Sequence, residues 1–144
     1  MSDPHRPDSA GSPDRRGAFH RLIGWEVAHW VDGHVVLTCP VRPDFMNRSG
    51  ALHGGLVATL MDSAGSYAGL GPPPTHTEEM DARGVTLSLT INYLGTARGG
   101  TLTITARRTG GGRSISFVSI RVEDDAGNTI ADGVGTFRRF AKTR

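Results

Sequence analysis

One carboxylate, Asp62, interrupts the otherwise uncharged stretch GGLVATLMDSAGSYAGL over residues 54–70. Carboxylates are rarely buried without a partner. An acid here therefore either faces solvent or caps a neighbouring loop, or it sits in a dry cleft as a general base or nucleophile. The same segment is entered by His53-Gly54-Gly55. A helix N-terminus presents backbone N–H groups that lack intrahelical partners, at the positive end of the helix dipole, and can hold an oxyanion there. Glycines at such a place also serve simply to turn the chain, and a lone histidine is commonly a structural, hydrogen-bonded residue. Asn47 lies in a turn-like stretch, where its side chain either bonds its own backbone or orients a substrate carbonyl or a water. Thr86 falls on the polar face of a predicted strand, where threonine is favoured in any case; its chemical role would be to hold a water or the acid.

Helix geometry constrains these groups. At 1.5 Å per residue, Gly54 and Asp62 stand about 12 Å apart along one helix, too far to embrace one carbonyl. If both act on the same bond, a second subunit must bring its helix entrance to this subunit's Asp62. The chemistry then requires a homodimer with two shared sites.

The elements that must position these residues are legible in the periodicity. Residues 54–70 contain no proline and place Leu56, Val57, Leu60, Met61, Ala64 and Tyr67 at helical spacing. Ala58, Thr59, Asp62, Gly65, Ser66 and Gly69 occupy the other side, where a surface helix would carry Lys and Glu, so both faces are expected to be packed. HVVLTCPV (34–41) alternates as a half-buried strand, with Pro40 at its edge or end. VTLSLTINYL (85–94), TLTITARR (101–108), RSISFVSIRV (113–122) and NTIADGVGTF (128–137) follow with turn signals between them and predict an antiparallel meander. Val85, Leu87, Leu89, Ile91 and Tyr93 should share one buried face, and the apolar phase shift at Phe117 and Val118 suggests a bulge or a strand covered on both faces. Residues 1–17 read as a flexible tail and 18–144 as one domain, with 71–84 a long polar connection. The expected class is α+β: a curved antiparallel sheet of five to six strands around one long central helix.

Composition excludes several classes. With 37% hydrophobic and 21% charged residues among 144, the chain should bury one core. The net charge of +2 comes from scattered Lys and Arg rather than a basic stripe, so no nucleic-acid partner is indicated. The lone Cys39 is a small buried hydrophobe, which fits a reducing cytoplasmic location. No apolar run is long enough to span a membrane, and the polar N-terminus lacks a secretory pattern. The six histidines have no metal-ligand spacing, so no metal or other cofactor is expected.

The pattern of Asn47, six residues to His53-Gly54, then nine to Asp62 resembles the hotdog-fold thioesterases, specifically the PaaI-like acyl-CoA thioesterase group. The likeness extends through GVTLSLTINYLGTARGG and IADGVGTF, over roughly residues 19–140. The resemblance implies the hotdog fold and hydrolysis of acyl- or aryl-CoA thioesters to free acid and coenzyme A. It implies that Gly54 gives its N–H to the thioester oxygen, that His53 shapes the helix entrance and that Asn47 positions substrate or water. From the other subunit, Asp62 would act as base or nucleophile and Thr86 would orient the attacking water. It also implies homodimers, which often pair into tetramers in the family, with dimer and tetramer both open here. The 71–84 connection is longer than is usual in the group, which leaves the shape of the acyl pocket open.

Coenzyme A carries phosphates that need cationic or N–H contacts. Arg107, Arg108 and Arg113, around the GGG turn, are candidates that equally suit solvated strand ends; Gly55 is a further candidate contact. Two other readings stand beside hydrolysis. Acyl-thioester hydratases of this fold resemble it but carry a His-Phe-Pro segment that is absent here. A non-catalytic acyl-CoA-binding module is the other, against which the intact Asp62 argues.

Overall fold

The computed structural model describes residues 16–72 and 84–140. Most of the 1–17 segment read as a tail, most of the 71–84 connection, and the last four residues lie outside the described part. The element order is α1 (Ala18–Ile23), β1 (Glu26–Val31), β2 (His34–Pro40), a 3-10 turn (Pro43–Phe45), α2 (Gly54–Leu70), β3 (Gly84–Tyr93), β4 (Thr101–Gly111), β5 (Ile115–Glu123) and β6 (Thr129–Arg139). The six strands form one antiparallel sheet, ordered β1-β2-β4-β5-β6-β3, that curls around α2. This is the expected α+β hotdog architecture, with six strands rather than five.

Aliphatic burial holds the helix in the sheet. Leu60, Met61 and Ala64 of α2 are fully buried against Leu37, Leu102, Ile104, Ile120 and Phe137. At about 25 cal/mol per Å² of apolar surface this contact dominates the stability of the layer pair. Gly65 is what allows the helix to come so close: a Cβ there would lie 2.4 Å from the Phe137 ring. Cys39 is buried on β2, and burial pushes its thiol up to about 11, so it stays protonated and inert.

Three expectations are corrected. First, the four strands after the helix are not one meander. β2 occupies the edge of β4 along the register His34↔Arg107 to Pro40↔Thr101, so β3 crosses to the far side and pairs with β6. Second, β3 does not alternate cleanly. Thr86 lies opposite Phe137 and Ser88 opposite Thr136, so Leu87 is an extra, bulged residue. Val85 and Leu87 are thereby exposed, while Leu89 and Ile91 pack on the core. Third, β5 is not covered on both faces: Val118, Ile120 and Val122 are buried and Phe117 projects outward, while the expected bulge does fall opposite Phe117 and Val118, with its extra residue, Thr109, on β4.

The second side of α2 is also less covered than expected. Gly65 and Gly69 are buried, but Ala58, Thr59, Asp62 and Ser66 remain half-exposed. Among the described residues, no helix is long and apolar enough to cross a membrane.

Candidate active site

The bulge in β3 brings Thr86 to Asp62. Directly opposed residues of antiparallel strands share a face, and Phe137, opposite Thr86, is buried against the helix. Without the extra residue at Leu87, Thr86 would point to the outer face with Ser88 and Thr90. With it, Thr86 points at α2, and its hydroxyl donates to Asp62 Oδ1 at 2.5 Å. A carboxylate in mid-helix is thus held by an edge strand, half-exposed, with no cation paired to it among the described residues.

The helix entrance is built from the loop before it. Residues 47–51 form a tight turn in which Asn47 Oδ1 accepts the N–H groups of Ser49 (2.9 Å) and Ala51 (3.1 Å). The Asn47 carbonyl oxygen therefore makes the turn bonds, and its amide NH2 stays exposed for other use. Thr96 ties this loop to the β3–β4 connection by accepting the Leu52 N–H at 2.9 Å. His53 is the N-cap, in extended conformation, and its Nδ1 accepts the Gly55 N–H at 2.9 Å. The Tyr93 hydroxyl donates to the Gly54 carbonyl at 2.8 Å. The Gly55 N–H is consequently occupied within the chain, whereas the Gly54 N–H takes no partner among the described residues. It is the free donor at the positive end of the helix dipole.

Beside this entrance lies a concavity of about 320 Å³, walled by Ile23, Phe45, Met46 and Leu56 and rimmed by His53 and Thr59. Asp44 also reaches it and is engaged by Arg42, 3.2 Å away. Gly55, Thr59 and Asp62 follow at i, i+4 and i+7, so this rim continues along the helix face toward the acid.

Within one chain the structure joins Asp62 with Thr86, and His53 with Gly54, Gly55 and Asn47, but it does not join the two groups. Nor does it bring the arginines to the entrance. Arg108 is bonded to Asp32, which lies against Gly71 at the C-terminal end of α2. Arg107 precedes it and Arg113 follows in the β4–β5 turn, both exposed. All three lie toward the far end of a 17-residue helix, about 25 Å from Gly54. Sequence reasoning missed Tyr93, which alternation assigns to the apolar face of β3. The available signal was a hydroxyl-bearing aromatic ending a strand of aliphatics. It also missed Arg98, which approaches Gly50 O at 3.5 Å beside the entrance.

Comparison with known proteins agrees with this arrangement. The family model described as the thioesterase superfamily matches residues 49–131, which spans the helix entrance, Asp62 and Thr86. Human acyl-coenzyme A thioesterase 13 is 34% identical over 118 residues, covering 80% of this chain and 80% of that protein. The E. coli PaaI protein, from the phenylacetic acid degradation operon, superposes with a TM-score of 0.75 at 26% identity, covering 88% of this chain and 87% of that one. A hypothetical thioesterase protein of Streptococcus pneumoniae, solved with coenzyme A, superposes with a TM-score of 0.72 at 26% identity, covering 83% of this chain and 91% of that one. Fold, matched span and related sequences agree, and the chain belongs to the thioesterase superfamily as a thioester hydrolase of the hotdog fold.

Proposed function

We propose that the protein hydrolyses acyl-CoA or aryl-acyl-CoA thioesters in sites shared between two copies of the chain. The observation that carries this reading is the Thr86–Asp62 hydrogen bond: an acid in mid-helix, half-exposed and oriented by a hydroxyl, has the form of a base awaiting a substrate. Relatives named as acyl-CoA thioesterases, and a similar fold solved with coenzyme A, support the substrate class.

The geometry of β3 supports the dimer. β3 is an edge strand, paired only with β6, and it exposes Val85 and Leu87 along an unpaired edge. Antiparallel pairing of two such edges about a two-fold axis lays the Thr86 half of one strand against the Tyr93 half of its partner. The Asp62 of one chain then approaches the partner subunit's Gly54, closing the 12 Å gap that one helix leaves.

In this site the thioester oxygen lies on the Gly54 N–H and the acyl group in the concavity walled by Phe45, Met46 and Leu56. Asp62 takes a proton from a water whose oxygen attacks the thioester carbon. Negative charge collects on the carbonyl oxygen at the helix N-terminus, the C–S bond breaks, and the proton passes from Asp62 to the departing thiolate. An oxyanion donor contributes about 10²–10³ in rate and a general base about 10²–10⁴, enough for a thioester, which lacks the resonance stabilisation of an ester. The same carboxylate attacking directly is the alternative covalent route. Arg107 and Arg113, exposed on the subunit that supplies Asp62, are the cations this reading offers to coenzyme A phosphates.

The test is free-thiol release over a panel of short, long and aromatic acyl-CoAs. Wild-type protein is expected to turn over part of the panel and Asp62→Asn to lose at least about 10² in kcat with its oligomeric state unchanged. Tight binding with no thiol release by the wild type would instead favour an acyl-CoA-binding module.

A further inference from the structure

Tyr93 ends β3 with 53% of its surface exposed, so burial does not account for it. The tip of its ring packs at the helix entrance, where a Cβ on Gly54 would stand 3.4 Å from its Cε1, Cζ and hydroxyl oxygen. Its hydroxyl donates to the Gly54 carbonyl at 2.8 Å. That carbonyl and the Gly55 N–H belong to one peptide plane, and the N–H end is bonded to His53 Nδ1 at 2.9 Å. The plane joining two glycines, which carry no Cβ to limit their rotation, is thus held at both poles.

We propose that Tyr93 is a positioning residue of the hydrolase, clamping the Gly54–Gly55 peptide jointly with His53 so that the adjoining Gly54 N–H is fixed toward the developing oxyanion. The proposal rests on the reading of Gly54 as the oxyanion donor. Its physical content is preorganisation. A donor aimed before the reaction begins needs no reorientation when charge develops, and a donor free to rock loses part of its effect. The clamp also divides the entrance amides: His53 takes the Gly55 N–H, leaving Gly54 as the donor presented to substrate. The hydroxyl of Tyr93 is spent on the carbonyl and does not itself touch the reacting bond.

Tyr93→Phe keeps the ring against Gly54 and removes only the hydroxyl, so the fold and melting temperature should be retained. The expected result is a kcat about 3- to 10-fold lower, the range of one neutral hydrogen bond, with KM changed less than about twofold because ground-state contacts remain. The decisive arm repeats the substitution in a Gly54→Pro background. Proline at the first helical position lacks the N–H but suits the helix start, and His53, at φ −63° and ψ 128°, already has the conformation that precedes proline. If Tyr93 acts through the Gly54 N–H, Tyr93→Phe costs nothing further there. An undiminished kcat in the single variant, or an equal loss in both backgrounds, overturns the clamp while leaving thioester hydrolysis standing. A wild type silent on every acyl-CoA overturns the functional reading and the clamp with it.

Discussion

At its C-terminal end α2 hands its carbonyls to fixed donors. Arg139 bonds Gly69 O at 3.1 Å and also Leu70 O, Ser116 Oγ bonds Gly69 O at 3.1 Å, and the Gly71 N–H closes onto Tyr67 O at 2.9 Å. At its N-terminal end the corresponding N–H groups are treated unequally. His53 O receives those of Leu56 and Val57, His53 Nδ1 receives that of Gly55, and Gly54 keeps its own. Solvent can satisfy the first-turn N–H groups of a helix, and Gly54 is partly exposed, so its N–H stays open to a ligand at little cost. On the reading proposed above, the difference separates a scaffold end from a site end.

The largest effect should come from the open end. Gly54→Pro is expected to lower kcat by about 10²–10³ while circular dichroism and melting temperature stay near wild type. Gly54→Ala, which keeps the N–H and places a Cβ at ordinary contact distance from Tyr93, should stay within about threefold. Equal losses in the two variants would mean that the N–H is not the active element. Next comes the hydroxyl that orients the acid. Thr86→Val removes its bond to Asp62 while preserving β-branched shape, and steady-state kinetics should give a kcat about tenfold lower. Smallest in activity, and opposite in kind, is the closed end. Arg139→Met should cost about 1–3 kcal/mol by denaturant titration, with kcat within about twofold of wild type. A stable but inactive Arg139→Met protein would erase the contrast between the two ends.

How far the sequence reveals this depends on the range of the interaction. The helix over 54–70 is bounded correctly because apolar spacing, glycines and a following proline are all local signals. β2 is legible for the same reason. α1 and β1 are not: α1 has six residues, none buried, and the register of β1 slips between Val27 and His29, so neither carries a sustained period. The place of β3 beside β6 is long-range, decided by β2 occupying the edge of β4, and no local pattern encodes it. The site divides along the same line. Asp62 stands out as the lone charge of its segment, and the His53-Gly54-Gly55 entrance as a helix start. The bulge at Leu87 that turns Thr86 inward is hidden, because VTLSLTINY alternates without interruption and only pairing with Phe137 reveals the slip. Tyr93 is hidden likewise: periodicity gives it a face but not the carbonyl its hydroxyl meets 39 residues away in sequence.

The central claim, that the Gly54 N–H of one chain and the Asp62 carboxylate of another act on the same thioester, is tested most directly by complementation. Asp62→Asn and Gly54→Pro are each expected to be nearly inactive alone. Co-expressed or refolded together, they should form mixed dimers in which one of the two sites is intact. Random mixing then restores about one quarter of wild-type activity. A mixture no more active than the sum of its parents, despite demonstrated subunit exchange, would contradict a shared site.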